Sequence, residues 1–501
     1  MTQAGSESGR GDAVGVVGHI EELCDLATRL TVGTQLAERV DEISERLRGP
    51  LRVAIAGRLK AGKSTLLNAL VGERLAATDA GECTRIVTLY RHATGYDVAA
   101  RLHDGTDAPL RFRRDDEVLH VDLGGLHLGD IDHLDVRWPA RVLAELTLID
   151  TPGLESLNDE NSRRTQTFLE HDGSDPANAD AVVYLMRHLH RSDADFLGSF
   201  LDRSVAGSSP VNAIAVLSRA DEIGACRPDA MQSAARIARR YARDPVVRSL
   251  VGDVVPVAGL LAETGLTLRE HEYAALVQLA DMAAGDRERL LLSVDDVCDV
   301  GLSPLTAEIR RDLLDRFGLF GLRHSVAAIA AGEVGSAGEL SRALVEASGV
   351  GALQRVISET FLPRARVLQA RTALAALRTV GRELSAAGHP DAPSFAAVID
   401  RIDASALEFG LLQAGHLVLS GAVALGDAHR HDVERLLAAD DPVRALGLDD
   451  LAPEQREAEL LAGLARWRET TNDPLSGPLD TAVADTMVRV YDRLYTDGQA
   501  S

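Results

Sequence analysis

The chain has 501 residues, 46% of them apolar, 26% charged and 4% aromatic; 53 basic side chains stand against 76 acidic ones, a formal net charge of -23. Such a length predicts two or three domains. The acidity excludes a broad nucleic-acid footprint and electrostatic adsorption of the whole chain to an anionic membrane, both of which need a basic surface.

Residues 1–12 are rich in Gly and Ser and are expected to be disordered. Met1 to Val17 has no basic stretch followed by an apolar one, so no signal peptide is expected. No run of about 18 apolar residues predicts a spanning helix. Cys24, Cys83, Cys226 and Cys298 are too few and too widely spaced for a disulfide scaffold or a zinc site. A reduced, cytoplasmic protein is the expectation.

Across 13–48, Ile20, Leu23, Leu26, Leu30, Leu36, Val40, Ile43 and Leu47 recur mostly at three- and four-residue steps. They predict one or two amphipathic helices ending at Gly49-Pro50. The segment 49–350 has a different texture. Apolar runs predict strands at 51–56, 86–90, 98–102, 146–149, 181–185, 213–217 and 254–257, with helical patterns between several of them, the first at Ser64–Leu70. Such alternation predicts an α/β domain on a mostly parallel sheet. Strand signals vanish past about residue 265, so this domain carries a helical C-terminal extension, and 351–501 reads as helix throughout. The stretch from Val350 to Ala387 predicts a helix of roughly 55 Å, interrupted at Pro363. Gly388–Ser394 reads as a turn, after which helices return through residue 495. The N-terminal helices are expected to join the C-terminal ones in an elongated bundle. The apolar run His416–Leu425 is too short to cross a bilayer and is expected in the bundle core.

The chemistry is concentrated in a few segments. Gly57-Arg58-Leu59-Lys60-Ala61-Gly62-Lys63-Ser64-Thr65 fits the G-x-x-x-x-G-K-[ST] pattern, with an apolar strand before it and a helix after it. Backbone N–H groups of residues 58–64 can wrap a β-phosphate, Gly57 and Gly62 permit close approach, and the helix N-terminus adds positive potential. Lys63 reaches the β- and γ-phosphates and Ser64 ligates Mg2+. Lys60 and Lys63 are the chain's two lysines, arginine carrying the positive charge everywhere else. At Lys63 a flexible point charge fits a tight loop where a planar guanidinium does not.

Downstream, Leu148-Ile149-Asp150-Thr151-Pro152-Gly153 is an apolar strand ending in an acid. Asp150 would hold Mg2+ through a water, and the Gly153 N–H would meet the γ-phosphate and report its loss. In Ser218-Arg219-Ala220-Asp221 the carboxylate can accept hydrogen bonds from guanine N1 and N2, a pattern adenine does not offer. The cation stem of Arg219 covers the base. Thr84, between the phosphate loop and Asp150, can complete the Mg2+ shell and position water through its carbonyl, with Thr78 and Thr88 as alternatives. Ala258 and Gly259, after the last strand, complete the nucleotide-binding set. The ligands expected are therefore GTP or GDP and Mg2+.

Together these segments resemble the dynamin superfamily of large GTPases. Ala56 to Leu66, Thr84 to Thr88, Ser218 to Gly224 and Arg316-Phe317-Gly318-Leu319-Phe320-Gly321 are similar to the actinobacterial isoniazid-inducible dynamin-like proteins, and among them to the shorter member of the pair. The resemblance implies a GTP-driven mechanoenzyme with a helical stalk and peripheral association with the inner face of the plasma membrane. It implies G domains that pair across the nucleotide, as a homodimer or with a paralogous chain, and membrane remodelling, fusion or maintenance as the task. A slow or non-hydrolysing partner in a hetero-oligomer, and an assembly or signalling GTPase without membrane contact, stay open as alternatives.

Eukaryotic dynamins carry Gln-Ser where this chain has Leu59-Lys60. Leu59 can neither position water nor bind a monovalent cation, so Lys60 is expected to supply charge in cis, as an arginine finger does at this offset in the guanylate-binding proteins. The turn Gly388–Ser394 holds no large apolar residue, so membrane contact through it would depend on a partner.

Overall fold

The computed structural model describes residues 15–58, 60–76, 86–115, 118–152, 179–187, 210–299, 303–439 and 441–500. Its strands are β1 (Leu51–Gly57), β2 (Val87–His92), β3 (Asp97–Leu102), β4 (Asp107–Pro109), β5 (Arg111–Asp115), β6 (Val118–Asp122), β7 (Ile131–Trp138), β8 (Leu146–Asp150), β9 (Ala181–Met186), β10 (Ala213–Ser218) and β11 (Val254–Val257). Nine of them form one sheet in the order β11-β10-β9-β1-β8-β2-β7-β3-β4, and β5 pairs with β6 in a hairpin. From β11 to β8 every neighbour is parallel. Then β2 runs antiparallel to β8 and parallel to β7, and β3 and β4 finish the edge in antiparallel fashion. The mostly parallel α/β sheet expected from the sequence is present.

The central strands β1, β9 and β10 are mostly apolar because both faces are covered. In β1, Val53 and Ile55 pack on one side of the sheet and Ala54 and Ala56 on the other, as the two-residue period of a strand requires. Strands β4 to β7 escape a reading based on apolar runs. β4 has three residues, and β5 is Arg-Phe-Arg-Arg-Asp.

The longer helices are α1 (Val16–Thr31), α2 (Leu36–Arg48), α3 (Lys63–Val71), α4 (Ala230–Arg243), α5 (Gly259–Leu266), α6 (Glu270–Ala280), α7 (Ala307–Ala330), α8 (Ala337–Ser348), α9 (Val350–Thr360), α10 (Ala365–Ala386), α11 (Ala392–Ser405), α12 (Leu407–Ser420), α13 (Asp427–Leu437), α14 (Pro453–Asn472) and α15 (Pro478–Ala500). Helices α5 to α8 share one core beside β11. The N-terminal α1 and α2 bury Ile20, Leu23, Val40 and Ile43 against Leu374, Leu377 and Phe395 of α10 and α11. Bidentate Arg39–Glu383 contacts at 2.7 and 2.8 Å lie on the rim. Helices α12 to α15 enclose the buried Asp432, which accepts from Tyr491 Oη at 2.9 Å and from Arg466 at 2.7 Å. Leu353 and Ile357 of α9 belong to the same core as the sheet, so packing continues across residue 350, where the sequence places its boundary.

Two local expectations are corrected. Helix α11 begins at Ala392, inside the expected turn 388–394. Pro393 lies in its first turn, where no backbone donor is needed. The run His416–Leu425 is not one helix, because α12 stops at Ser420 and Gly421 turns the chain with φ 74°. Its buried members are Leu417 and Val418. No helix among the described residues is long and apolar enough to cross a membrane.

Candidate functional site

The C-terminal ends of β1, β8, β9, β10 and β11 lie along one edge of the sheet, where open parallel sheets place their ligands. At the end of β1, Gly57 takes φ 150°, and a Cβ there would stand 2.6 Å from the Leu185 carbonyl. Only glycine passes so close to β9. The loop then turns through Lys60 (φ 61°) and Gly62 (φ 91°) into α3. A left-handed lysine is a strained choice that the surrounding contacts must hold.

Lys63 opens α3 and is 8% exposed. Its Nζ lies 3.4 Å from the carbonyl oxygens of Gly57 and Arg58. Burial pushes its ammonium below the usual lysine range, and Asp150 opposes that shift. Ser64 donates to Asp150 Oδ2 at 2.9 Å. Burial raises the Asp150 carboxyl, with Lys63 and Ser64 pulling the other way. Asp150 Oδ1 is buried with no hydrogen-bond partner among the described residues. A hydroxyl and a carboxylate with a spare buried oxygen suit a hydrated hard cation such as Mg2+. The next residue, Thr151, is anchored through its hydroxyl to the Ile55 carbonyl at 2.9 Å.

Leu59, Thr78, Thr84 and Gly153 lie outside the described residues. Thr88 is buried in β2, directly across from Asp150, with its hydroxyl directed to the Ile86 carbonyl at 3.4 Å.

On the other side, β10 ends at Ser218, whose hydroxyl donates to the Met186 carbonyl at 3.3 Å. Arg219 is left-handed (φ 51°) and donates to Glu222 Oε1 at 2.8 Å and to the Lys60 carbonyl at 3.1 Å. Glu222 also pairs with Arg187. Asp221 is 8% exposed. Burial pushes its carboxyl up to about 6, Glu222 adds to the rise, and Arg219 and Arg187 oppose it. A pocket of about 200 Å³ is lined by Ala61, Gly62, Thr65, Ser218, Arg219, Asp221 and Gly259 of the expected set. Leu66, Leu185, Val216, Glu222, Val257 and Leu260 complete its wall. Ala258 is not in the wall. It is fully buried, and its N–H donates to the Ser348 carbonyl at 2.8 Å. Glu222 and Arg187 were missed, since an acid beside an acid and an arginine after a strand carry no spacing signal of their own.

Fold and loops together define a GTPase domain of the phosphate-loop class, a binder of guanine nucleotide. Residues 52–209 match the family model described as 50S ribosome-binding GTPase. The chain is 39% identical over 469 residues to the isoniazid-induced protein IniC of Mycobacterium tuberculosis, covering 92% of this chain and 93% of that one. It therefore belongs to the family of isoniazid-induced, dynamin-like proteins. It is also 32% identical over 179 residues to the isoniazid-induced protein IniA of the same organism, covering 33% of this chain and 26% of that one. A bacterial dynamin-like protein of Nostoc punctiforme is 28% identical over 150 residues, covering 28% of this chain and 20% of that one.

Proposed function

We propose that this chain hydrolyses GTP with Mg2+ and couples the reaction to pairing of its GTPase domains and to membrane remodelling, fusion or maintenance. The observation that carries the reading is the convergence of Lys63, Ser64 and Asp150 at the ends of β1 and β8, beside the pocket that holds Asp221. Asp221 accepts from guanine N1 and N2, and Gly259, the first residue of α5, lines the same pocket. Lys63 leaves the carbonyls of Gly57 and Arg58 for the β- and γ-phosphates. Ser64, Asp150 and Thr84 would hold Mg2+, which supplies positive charge at the phosphate oxygens. Gly153 senses the γ-phosphate. Lys60 is exposed, with no carboxylate partner among the described residues, and is free to bring charge to the same oxygens.

The pairing partner is a second copy or a paralogous dynamin-like chain. The membrane part of the reading is supported by the turn between α14 and α15. There Leu475 is 91% exposed, and Leu479 in the first turn of α15 is 47% exposed, an apolar patch that the turn before α11 lacks.

The test is single-turnover hydrolysis of GTP, with ATP and EDTA controls, on the wild type and Lys63→Ala. Mg2+-dependent cleavage of GTP but not ATP, lost in the variant, is expected. Nucleotide binding with no turnover would instead support the structural-partner reading. Flotation with liposomes, comparing wild type and Leu475→Asp, tests the patch. Equal flotation of the two rules it out as the contact.

A further inference from the structure

Helix α7 carries Arg316-Phe317-Gly318-Leu319-Phe320-Gly321, a stretch that the phosphate chemistry leaves unused. Gly318 breaks the helix with φ 63° and ψ 171°, a region open to glycine alone. The break lies against the base-reading loop. A Cβ on Gly318 would stand 3.9 Å from Asp221 Oδ2 and 3.7 Å from Leu260 Cδ2, and both residues line the pocket.

The break is held from both sides. Before it, the Thr264 hydroxyl donates to the Arg316 carbonyl, and the Arg316 guanidinium reaches Glu272 at 2.8 Å and the Thr267 carbonyl at 2.9 Å. After it, Arg323 donates to the carbonyls of Cys226 and Leu292, both at 2.7 Å. That contact fixes the turn just past Asp221, where Gly224, Ala225 and Cys226 all have left-handed angles.

Breaking a helix creates a second N-terminus. Its first N–H groups have no acceptor within the helix, and together they carry about half a positive charge. The segment 319–330 starts such a helix beside Asp221. Arg323, in the same half-helix, donates to the Cys226 carbonyl at 2.7 Å, which keeps this half-helix against the turn that follows Asp221.

We propose that Gly318 is a positioning residue of the guanine site, its break setting the positive end of the half-helix 319–330 against Asp221 so that the carboxylate is held charged and aimed at the base. The proposal rests on Asp221 reading guanine. Alanine cannot take the angles of Gly318 and, as the strongest helix former, closes the break and withdraws the helix end.

The experiment is a binding cycle on the full chain with GDP and XDP, using wild type, Gly318→Ala, Asp221→Asn and the double variant. Asp221→Asn moves preference from GDP to XDP. Gly318→Ala weakens GDP by about tenfold, yet leaves XDP binding unchanged when it is added to Asp221→Asn, because a neutral amide gains little from the helix end. Thr264→Val, which releases the Arg316 carbonyl with little change in shape, gives a smaller loss in the same direction and serves if Gly318→Ala does not fold. An equal loss of GDP and XDP would mean a merely structural glycine and overturn the proposal, as would unchanged GDP binding in both variants. If Asp221→Asn fails to shift preference toward XDP, the guanine reading falls and takes this proposal with it.

Discussion

The Arg219 guanidinium donates to the Lys60 carbonyl at 3.1 Å across 159 positions of sequence. Both residues are left-handed without being glycine, so each loop holds the other in a conformation it would not choose alone. The base-reading loop and the phosphate loop are thereby one unit. Arg219→Ala removes a charged hydrogen bond of the kind that contributes about 1.5–3 kcal/mol. It is expected to weaken GDP binding by about tenfold or more, with Arg219→Lys intermediate. Titration of a fluorescent GDP analogue measures this. Wild-type affinity in Arg219→Ala would mean that the two loops are set independently.

Lys60 gives a separate prediction, because its carbonyl is tied down while its side chain is exposed. Lys60→Ala should leave nucleotide affinity near wild type and lower hydrolysis at saturating GTP by about a hundredfold, the loss usual for one charge-stabilising donor. If the variant hydrolyses near the wild-type rate without K+ or Na+, Lys60 is not a finger.

Asp221 gives a prediction in pH. Its carboxyl rises from 3.8 to about 6 in the fold, mainly through burial. The folded state therefore binds the proton more tightly than the unfolded chain, and that stabilisation is lost as pH rises through 6. Above that pH the buried charge costs on the order of 3 kcal/mol. Nucleotide-free Asp221→Asn should melt at a higher temperature than wild type at pH 7.5, with the gap narrowing by about half at pH 5. Saturating GDP should reverse the order at pH 7.5. Coincident melting of the two free proteins at pH 7.5 would show that the buried charge costs nothing.

What the sequence made legible follows from how local each signal is. The strands β1, β9 and β10 are buried on both faces, so apart from Arg52 and the terminal Ser218 they read as apolar runs. β7 mixes buried Ile131, Leu134 and Trp138 with Asp132, His133 and an exposed Arg137, because this strand, parallel to β2 and antiparallel to β3, lies toward the less covered edge of the sheet and keeps polar residues among its apolar ones. The phosphate loop was legible because its spacing is covalent. The Arg219 tie to Lys60, the pairing of Glu222 with Arg187 and the approach of Gly318 to Asp221 join distant parts of the chain, and no periodicity encodes them. A glycine inside a helical pattern reads only as a weakness. Its use shows once Asp221 is placed beside it.

The last prediction concerns the joint between the N-terminal helices and the sheet. Arg46 of α2 and Asp180, just before β9, pair at 2.8 Å with side chains 5% and 0% exposed. Asp180 also accepts the Arg52 N–H at 3.0 Å, at the start of β1. One carboxylate thus fixes α2, β1 and β9 together, and the far ends of the two strands, Gly57 and Leu185, meet at the phosphate loop. Removing one partner of a buried pair strands the other charge, at a cost of about 3–5 kcal/mol. Replacing both with apolar residues removes the desolvation penalty along with the attraction. Arg46→Met should therefore lower the urea midpoint strongly, and Arg46→Met with Asp180→Leu should recover much of the loss. Because Asp180→Leu also frees the Arg52 N–H, recovery stays short of wild type. An Arg46→Met protein that unfolds at the wild-type midpoint would show that the pair does not hold the joint.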